Sequence, residues 1–385
     1  MTEPRATHAA RKPDPRISPD RWLFPLAALF AAAMVPLWLL LRRAGLASAS
    51  WHGHELLFGY AMLVAAGFLV AKAGKAATAL LLTTWLLARL AATWPAHGWS
   101  VLAGLAFPAT VLYLAARPLW RGAKRWENRI VPLLLCALLA LDTAWWLGAW
   151  RFGEWLQTRA LLATLDMFSL LMLVIGGRVL PSAVGGFLVR NGIPRRDIVR
   201  SGYELPLAGL MAVAMLADLL AWPWLAGLFC LAAAGLSLYR VSAWQLRHAR
   251  ARTELWTLAL AYLWLIPGLA LKGLAQCGWL PPTTHAVHAL TVGALGSLTL
   301  VMMARTATVR ARQPFGRFGD VATATVLLAM ATLLRLAAWP GAGLPRDVLL
   351  RSSATLWSLA FLLLLWRLWQ LNERARPTVS NPPLP

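Results

Sequence analysis

The chain has few charges for its length, and few of those are acidic. Only 14% of its 385 residues are Asp, Glu, Lys or Arg, against about 25% in an ordinary soluble domain. Cysteine is scarce as well. Cys136, Cys230 and Cys277 form neither a CxxC motif nor a set of close pairs, which excludes a disulfide scaffold and a thiolate metal centre. Polar, low-complexity composition is also missing, and that excludes disorder. What is present is apolar: 59% of residues are AVILMFWYC, with 22 Trp, 24 Pro and 28 Gly. The net charge is +22, from 37 Lys+Arg against 15 Asp+Glu. A nucleic-acid binder would gather such charge on a polar domain. Here the basic residues lie in short segments between long apolar runs, so no nucleic-acid partner is expected and a polytopic membrane protein is.

A spanning helix needs about 20 mostly apolar residues. Twelve runs meet or approach that length, near 22–41, 54–73, 76–94, 99–116, 130–148, 157–177, 206–222, 223–241, 255–273, 284–304, 320–339 and 347–371. The seventh and eighth divide only if Trp222-Pro223-Trp224 makes a tight turn, and the third contains Arg89. With the N-terminus inside, twenty-eight Lys+Arg fall in cytoplasmic segments and seven in outer ones, Lys272 among the seven. This alternation predicts an even number of spans with both termini cytoplasmic. The expected class is therefore an all-α, polytopic transmembrane helical bundle of about 12 spans. Residues 1–21 and 372–385 are read as cytoplasmic tails flanking a transmembrane domain over 22–371. The polar, Arg- and Pro-rich start reads as a tail rather than a signal peptide. The basic inner segments, including a loop near 178–205 with Arg195 and Arg196, would also meet anionic lipid head groups.

Five of the seven histidines, His52, His54, His97, His285 and His288, fall on or near the outer face of this arrangement; His8 and His248 belong to inner segments. Neutral imidazole is a common ligand for iron and copper. His52 and His54 flank Gly53 at the mouth of the second span. On a continuous helix they diverge by roughly 200°, so one faces the bundle; on an extended segment they share a side. Glu55 would orient a ligating ring or favour the helix N-terminus. His285 and His288 share a helix face, behind Pro281-Pro282 with Thr283 and Thr284 as caps. Gly293, Ala294, Gly296 and Ser297 continue that helix as a smooth surface for another helix or a flat macrocycle. His97 reads as an exposed loop residue. Asp142, Asp166, Asp218, Arg89 and Arg335 lie inside spans, where charges face protein or water. Structural pairing among them is the expectation, with a proton relay toward the histidines as the alternative. A secondary transporter, with helices broken at Pro36, Pro132, Pro206 or Pro267, is the rival from another class. Weaker readings are a haem–copper terminal reductase and an assembly partner for one.

Three blocks carry a resemblance. Trp51-His52-Gly53-His54-Glu55-Leu56-Leu57-Phe58-Gly59-Tyr60, Gly176-Gly177-Arg178-Val179-Leu180-Pro181, and His288-Ala289-Leu290-Thr291-Val292-Gly293-Ala294 running to Met302-Met303-Ala304-Arg305 resemble motifs of the NnrS family of bacterial haem- and copper-containing membrane proteins. The resemblance implies a role in nitric oxide metabolism or resistance to nitrosative stress, with haem b and copper as cofactors, nitric oxide as ligand and an unidentified electron donor. It implies that His52, His54, Glu55, Arg178, His288 and Arg305 match motif positions. Family histidines expected near Leu258–Tyr262, near Arg310 and around the fifth helix are missing, which implies one site rather than two. The expected centre pairs His54 with His288 across the second and tenth spans, with His52 and His285 as alternates or copper ligands.

Overall fold

The computed structural model describes residues 18–70, 73–123, 129–194, 201–280, 283–316, 318–339, 341 and 343–374. All regular structure among these is helical. Among the described residues, nine helices are long and apolar enough to cross a membrane: α1 (Asp20–Arg43), α4 (Gly98–Arg121), α5 (Ile130–Phe152), α6 (Glu154–Arg190), α8 (Pro223–Ser242), α9 (Thr253–Gln276), α10 (Thr283–Arg310), α11 (Gly319–Ala337) and α12 (Arg346–Glu373). The other three expected spans are also helical. They are α2 (49–69), α3 (Lys75–Ala91) and α7 (Glu204–Leu219). α3 and α7 are short, with 17 and 16 residues, and α2 carries His52, His54 and Glu55. The expected tail residues 1–17 and 375–385, together with Arg195, Arg196, Pro281 and Pro282, lie outside the described residues.

Neighbours in sequence pack as hairpins, and α12 closes the bundle by packing on both α11 and α1. Asp20 pairs with Arg310, whose guanidinium also donates to Asn372 Oδ1 at 2.9 Å, so both chain ends are tied to α10. Of these nine, α6 and α10 are the most deeply buried, and α11 and α12 the least. Leu40, Leu102 and Tyr113 point outward from the bundle, as lipid-facing residues do. Trp94, Trp99, Trp150, Trp155, Trp222, Trp224 and Trp279 are exposed at one set of helix ends. That is where an aromatic belt at the membrane–water interface belongs. This Lys/Arg-poor face is termed outer below. The turn predicted at Trp222-Pro223 is there: α7 ends at Leu219, Ala221 takes a left-handed φ of 60°, and Pro223 opens α8.

Two expectations need correcting. The basic segment after residue 177 is not all loop, because α6 runs unbroken to Arg190 with Pro181 inside it. Lys272 is not an outer-loop residue; it is fully buried between Asp166 and Asp218.

The prolines explain how such helices persist. A proline inside a helix leaves the carbonyl four residues earlier without its donor, and in a bilayer that group must be served by protein. Pro181 orphans Gly177, whose oxygen accepts from Arg240 Nη2 at 3.1 Å. Pro36 orphans Ala32, whose oxygen accepts from Ser358 Oγ at 2.8 Å. Pro25 orphans Arg21, whose oxygen accepts from Asn372 Nδ2 at 3.3 Å. In each case a side chain from another helix supplies the missing donor.

Candidate functional site

The mouth of α2 is fixed by tryptophans. Ser48 caps the helix by accepting from the Trp51 amide at 3.0 Å. Trp51 Nε1 donates to Ala92 O at 3.0 Å, Trp38 Nε1 to Ser48 O at 3.1 Å, and Trp145 Nε1 to Ser50 Oγ at 2.9 Å. Residues 49–54 are helical, so of the two geometries open to His52 and His54 the divergent one holds. His52 stacks on Trp38 of α1 at 4.1 Å between ring centroids. His54 stacks on Trp145 of α5 at 3.7 Å and meets the edge of Trp146. Gly53, between them, has the end of the Leu161 side chain against it, 2.9 Å from where a Cβ would stand.

His54 is committed to carboxylates. Its Nε2 lies 2.8 Å from Asp142 Oδ1, and its Nδ1 lies 3.5 Å from Glu55 Oε1. Glu55 in turn pairs with Arg89. A Cβ on Gly59 would fall 2.9 Å from Arg89 Nη1, so the glycine of the WHGHELLFG block admits the guanidinium. The sequence of partners is Asp142, His54, Glu55, Arg89, all within the bundle. As an imidazolium, His54 would bring these four side chains to net neutrality.

The other histidines lie differently. His52 and His288 are within electrostatic reach of each other, and Arg335 of α11 acts on His52, His285 and His288. His52 Nδ1, His288 Nδ1, His285 Nε2, Arg335 Nη1 and Trp264 Nε1 are all shielded from solvent and have no hydrogen-bond partner. Gly293 presses against Trp264, with 2.9 Å from an ideal Cβ to the ring, and Gly296 against Trp357. Among the described residues, no group of three His, Cys, Asp or Glu is arranged to hold a metal ion. The cluster therefore offers unpartnered imidazole nitrogens and a cationic guanidinium, and among the described residues no three-ligand metal cage.

Both histidine-bearing helices continue as π-helical turns, Glu55–Ala61 in α2 and Ala289–Gly296 in α10. Such turns are rare and often accompany functional sites. Trp85 Nε1 donates to Gly59 O within the first, at 2.8 Å. Tyr60 Oη and Thr299 Oγ1, 2.5 Å apart, join the two helices. The second block of the resemblance has a packing role. Gly176 admits the Tyr262 ring, Gly177 admits the Arg240 guanidinium, and Arg178 pairs with Glu204. Arg305 lies over the Phe315 ring at 4.9 Å. His97 is exposed at the start of α4, away from the cluster. Asp142 acquires its partner His54 only through the fold, and Arg335 likewise reaches the histidines only there. Their signal in sequence was no more than a charge inside an apolar run.

These features define a multi-helix membrane protein with an imidazole-rich cluster near one set of helix ends. The chain matches the family described as NnrS protein over residues 18–376 and belongs to that family, whose members are nitric oxide-related membrane proteins. A search of curated proteins gives no match.

Proposed function

We propose that the protein binds haem b near the outer face of a bacterial inner membrane and acts in nitric oxide metabolism or defence against nitrosative stress. The observation carrying this reading is the coincidence of orphaned nitrogens on His52 and His288 with an orphaned guanidinium nitrogen on Arg335. An imidazole of His52 or His288 would ligate the iron of a haem, and Arg335 would pair with a propionate. Ferrous haem, when bound, supplies a site for nitric oxide. The chain's own residues then hold the ring, exclude water through Trp38 and Trp264, and fix α2 against α10 through Tyr60 and Thr299. His54, held through Nε2 by Asp142, takes a supporting role in this reading instead of ligating. His285 is the further donor for copper. In this reading the basic helix ends lie on the cytoplasmic side, with both termini, and meet anionic lipid.

The test is the visible spectrum of the protein purified with haem supplied. The wild type is expected to show a Soret band that shifts with nitric oxide on reduction. His52→Ala and His288→Ala are expected to lose or displace it, and His54→Ala to keep it. Absence of haem in the wild type, or identical spectra in both ligand variants, overturns the reading.

A further inference from the structure

A second polar cluster lies elsewhere in the bundle, among α6, α7, α8 and α9. Lys272 of α9 is fully buried and donates to Asp166 of α6 and, at 2.8 Å, to Asp218 of α7. Gln276 Nε2, one turn further along α9, donates to Asp218 Oδ1 at 2.5 Å. The Cys230 thiol of α8 faces Asp166 Oδ1 at 3.9 Å. These are the titratable and charged groups that meet at Asp166 from the four helices.

Charge and hydrogen-bond counts agree on what the cluster needs. Two carboxylates and one ammonium leave a net charge of −1 in the bundle interior, where an uncompensated charge is strongly disfavoured. The cluster also has acceptors without donors. Asp166 Oδ2 and Gln276 Oε1 are both shielded from solvent and have no partner, although Asp166 is 0% and Gln276 7% exposed. A buried acceptor left unserved is costly. One added hydrogen on Asp166 Oδ2 neutralises the cluster and turns an orphaned acceptor into a donor. A metal cation suits the site less well, because the ammonium already stands between the two carboxylates.

We propose that Asp166, Lys272 and Asp218 form a proton-binding site that takes one exchangeable proton from the aqueous phase onto the carboxyl pair. In the step, an O–H bond of hydronium breaks, a carboxyl O–H bond forms on Asp166, and water leaves. Nothing is oxidised or reduced, and the cluster passes from −1 to neutral. The paired acids share the proton, as carboxylates held close together do. The site is independent of the haem reading and uses none of its residues.

The test is infrared difference spectroscopy of the full-length protein in lipid, titrated in pH and repeated in deuterium oxide. A protonated-carboxyl carbonyl band that shifts on deuteration is expected. Asp166→Asn and Asp218→Asn each leave the cluster neutral without a proton, so each is expected to lose the band. Lys272→Met raises the deficit to two protons and is expected to strengthen it, which keeps the proposal testable if either Asn variant fails to fold. Absence of the band from the wild type, or its persistence at full strength in both Asn variants, overturns the proposal. So does its removal by sodium at constant pH, which would assign the cluster to a metal cation.

Discussion

Arg240→Met should destabilise the bundle in a way that a second substitution partly repairs. Arg240 is buried and donates to two carbonyls of α6, Leu173 O and Gly177 O, each at 3.1 Å. The two are not equivalent. Leu173 O keeps its helical donor, the amide of Gly177. Gly177 O has lost its own, because the residue four places on is Pro181. Methionine retains much of the stem volume and removes both bonds. A buried carbonyl left without a donor costs about 1–3 kcal/mol, and the second, partly redundant charged bond adds to that. The expected loss is about 2–4 kcal/mol. Pro181→Ala alone should be close to neutral, since Arg240 already occupies the carbonyl. In the double variant the new amide at position 181 serves Gly177 O and should recover about 1–2 kcal/mol. Reversible unfolding in mixed micelles, titrated with a denaturing detergent, measures all four corners of the cycle. Additivity within about 0.5 kcal/mol would refute the claim that the arginine replaces the proline's missing donor.

Substitutions at two other positions probe the support of the outer site. Gly104→Ala places a Cβ about 2.1 Å from the Trp146 ring, so it should cost about 1–3 kcal/mol through overpacking and lower the thermal midpoint; an unchanged midpoint would show that the tryptophan moves freely. Asp142→Leu leaves His54 buried with Glu55 as its single acidic neighbour and should cost about 3–5 kcal/mol, the range for breaking a buried pair. Asp142→Asn retains a polar partner and should cost clearly less. Equal losses in the two variants would mean that the charge on Asp142 does not matter to His54.

Local sequence carried some of this and could not carry the rest. The apolar runs are long enough to mark α1, α4, α5 and α8, and Trp222-Pro223 marks a three-residue turn, because these depend on neighbouring residues alone. The end of α6 was illegible. Pro181 and the basic residues after it look like a loop, and only Arg240, far along the chain, lets the helix continue to Arg190. Lys272 was misplaced for the same reason. Its acids lie 106 and 54 residues away, and nothing beside it in sequence announces them. His54 and Asp142 are 88 residues apart. Local sequence leaves two geometries open for His52 and His54, and the helical backbone over 49–54 selects the divergent one.

A bundle in lipid must satisfy its polar groups internally, so the exceptions carry information. Most polar side chains in this interior have an identifiable task. Ser358 and Asn372 serve carbonyls orphaned by prolines; Arg89 neutralises Glu55; Trp85 serves a carbonyl within the first π-helical turn. Among the shielded atoms that remain unserved, two sets fall together and differ in kind. Around His52, His288 and Arg335 the unserved atoms are nitrogens, which lack an acceptor, a metal or an anion. Around Asp166 and Gln276 they are oxygens, which lack a donor. The first deficit calls for a ligand with a metal and negative charge, and the second for a proton. Because the missing partners are chemically opposite, one ligand cannot supply both, and the two sites are expected to respond separately: haem loading should leave the carboxyl band in place, and Asp166→Asn should leave the Soret band in place.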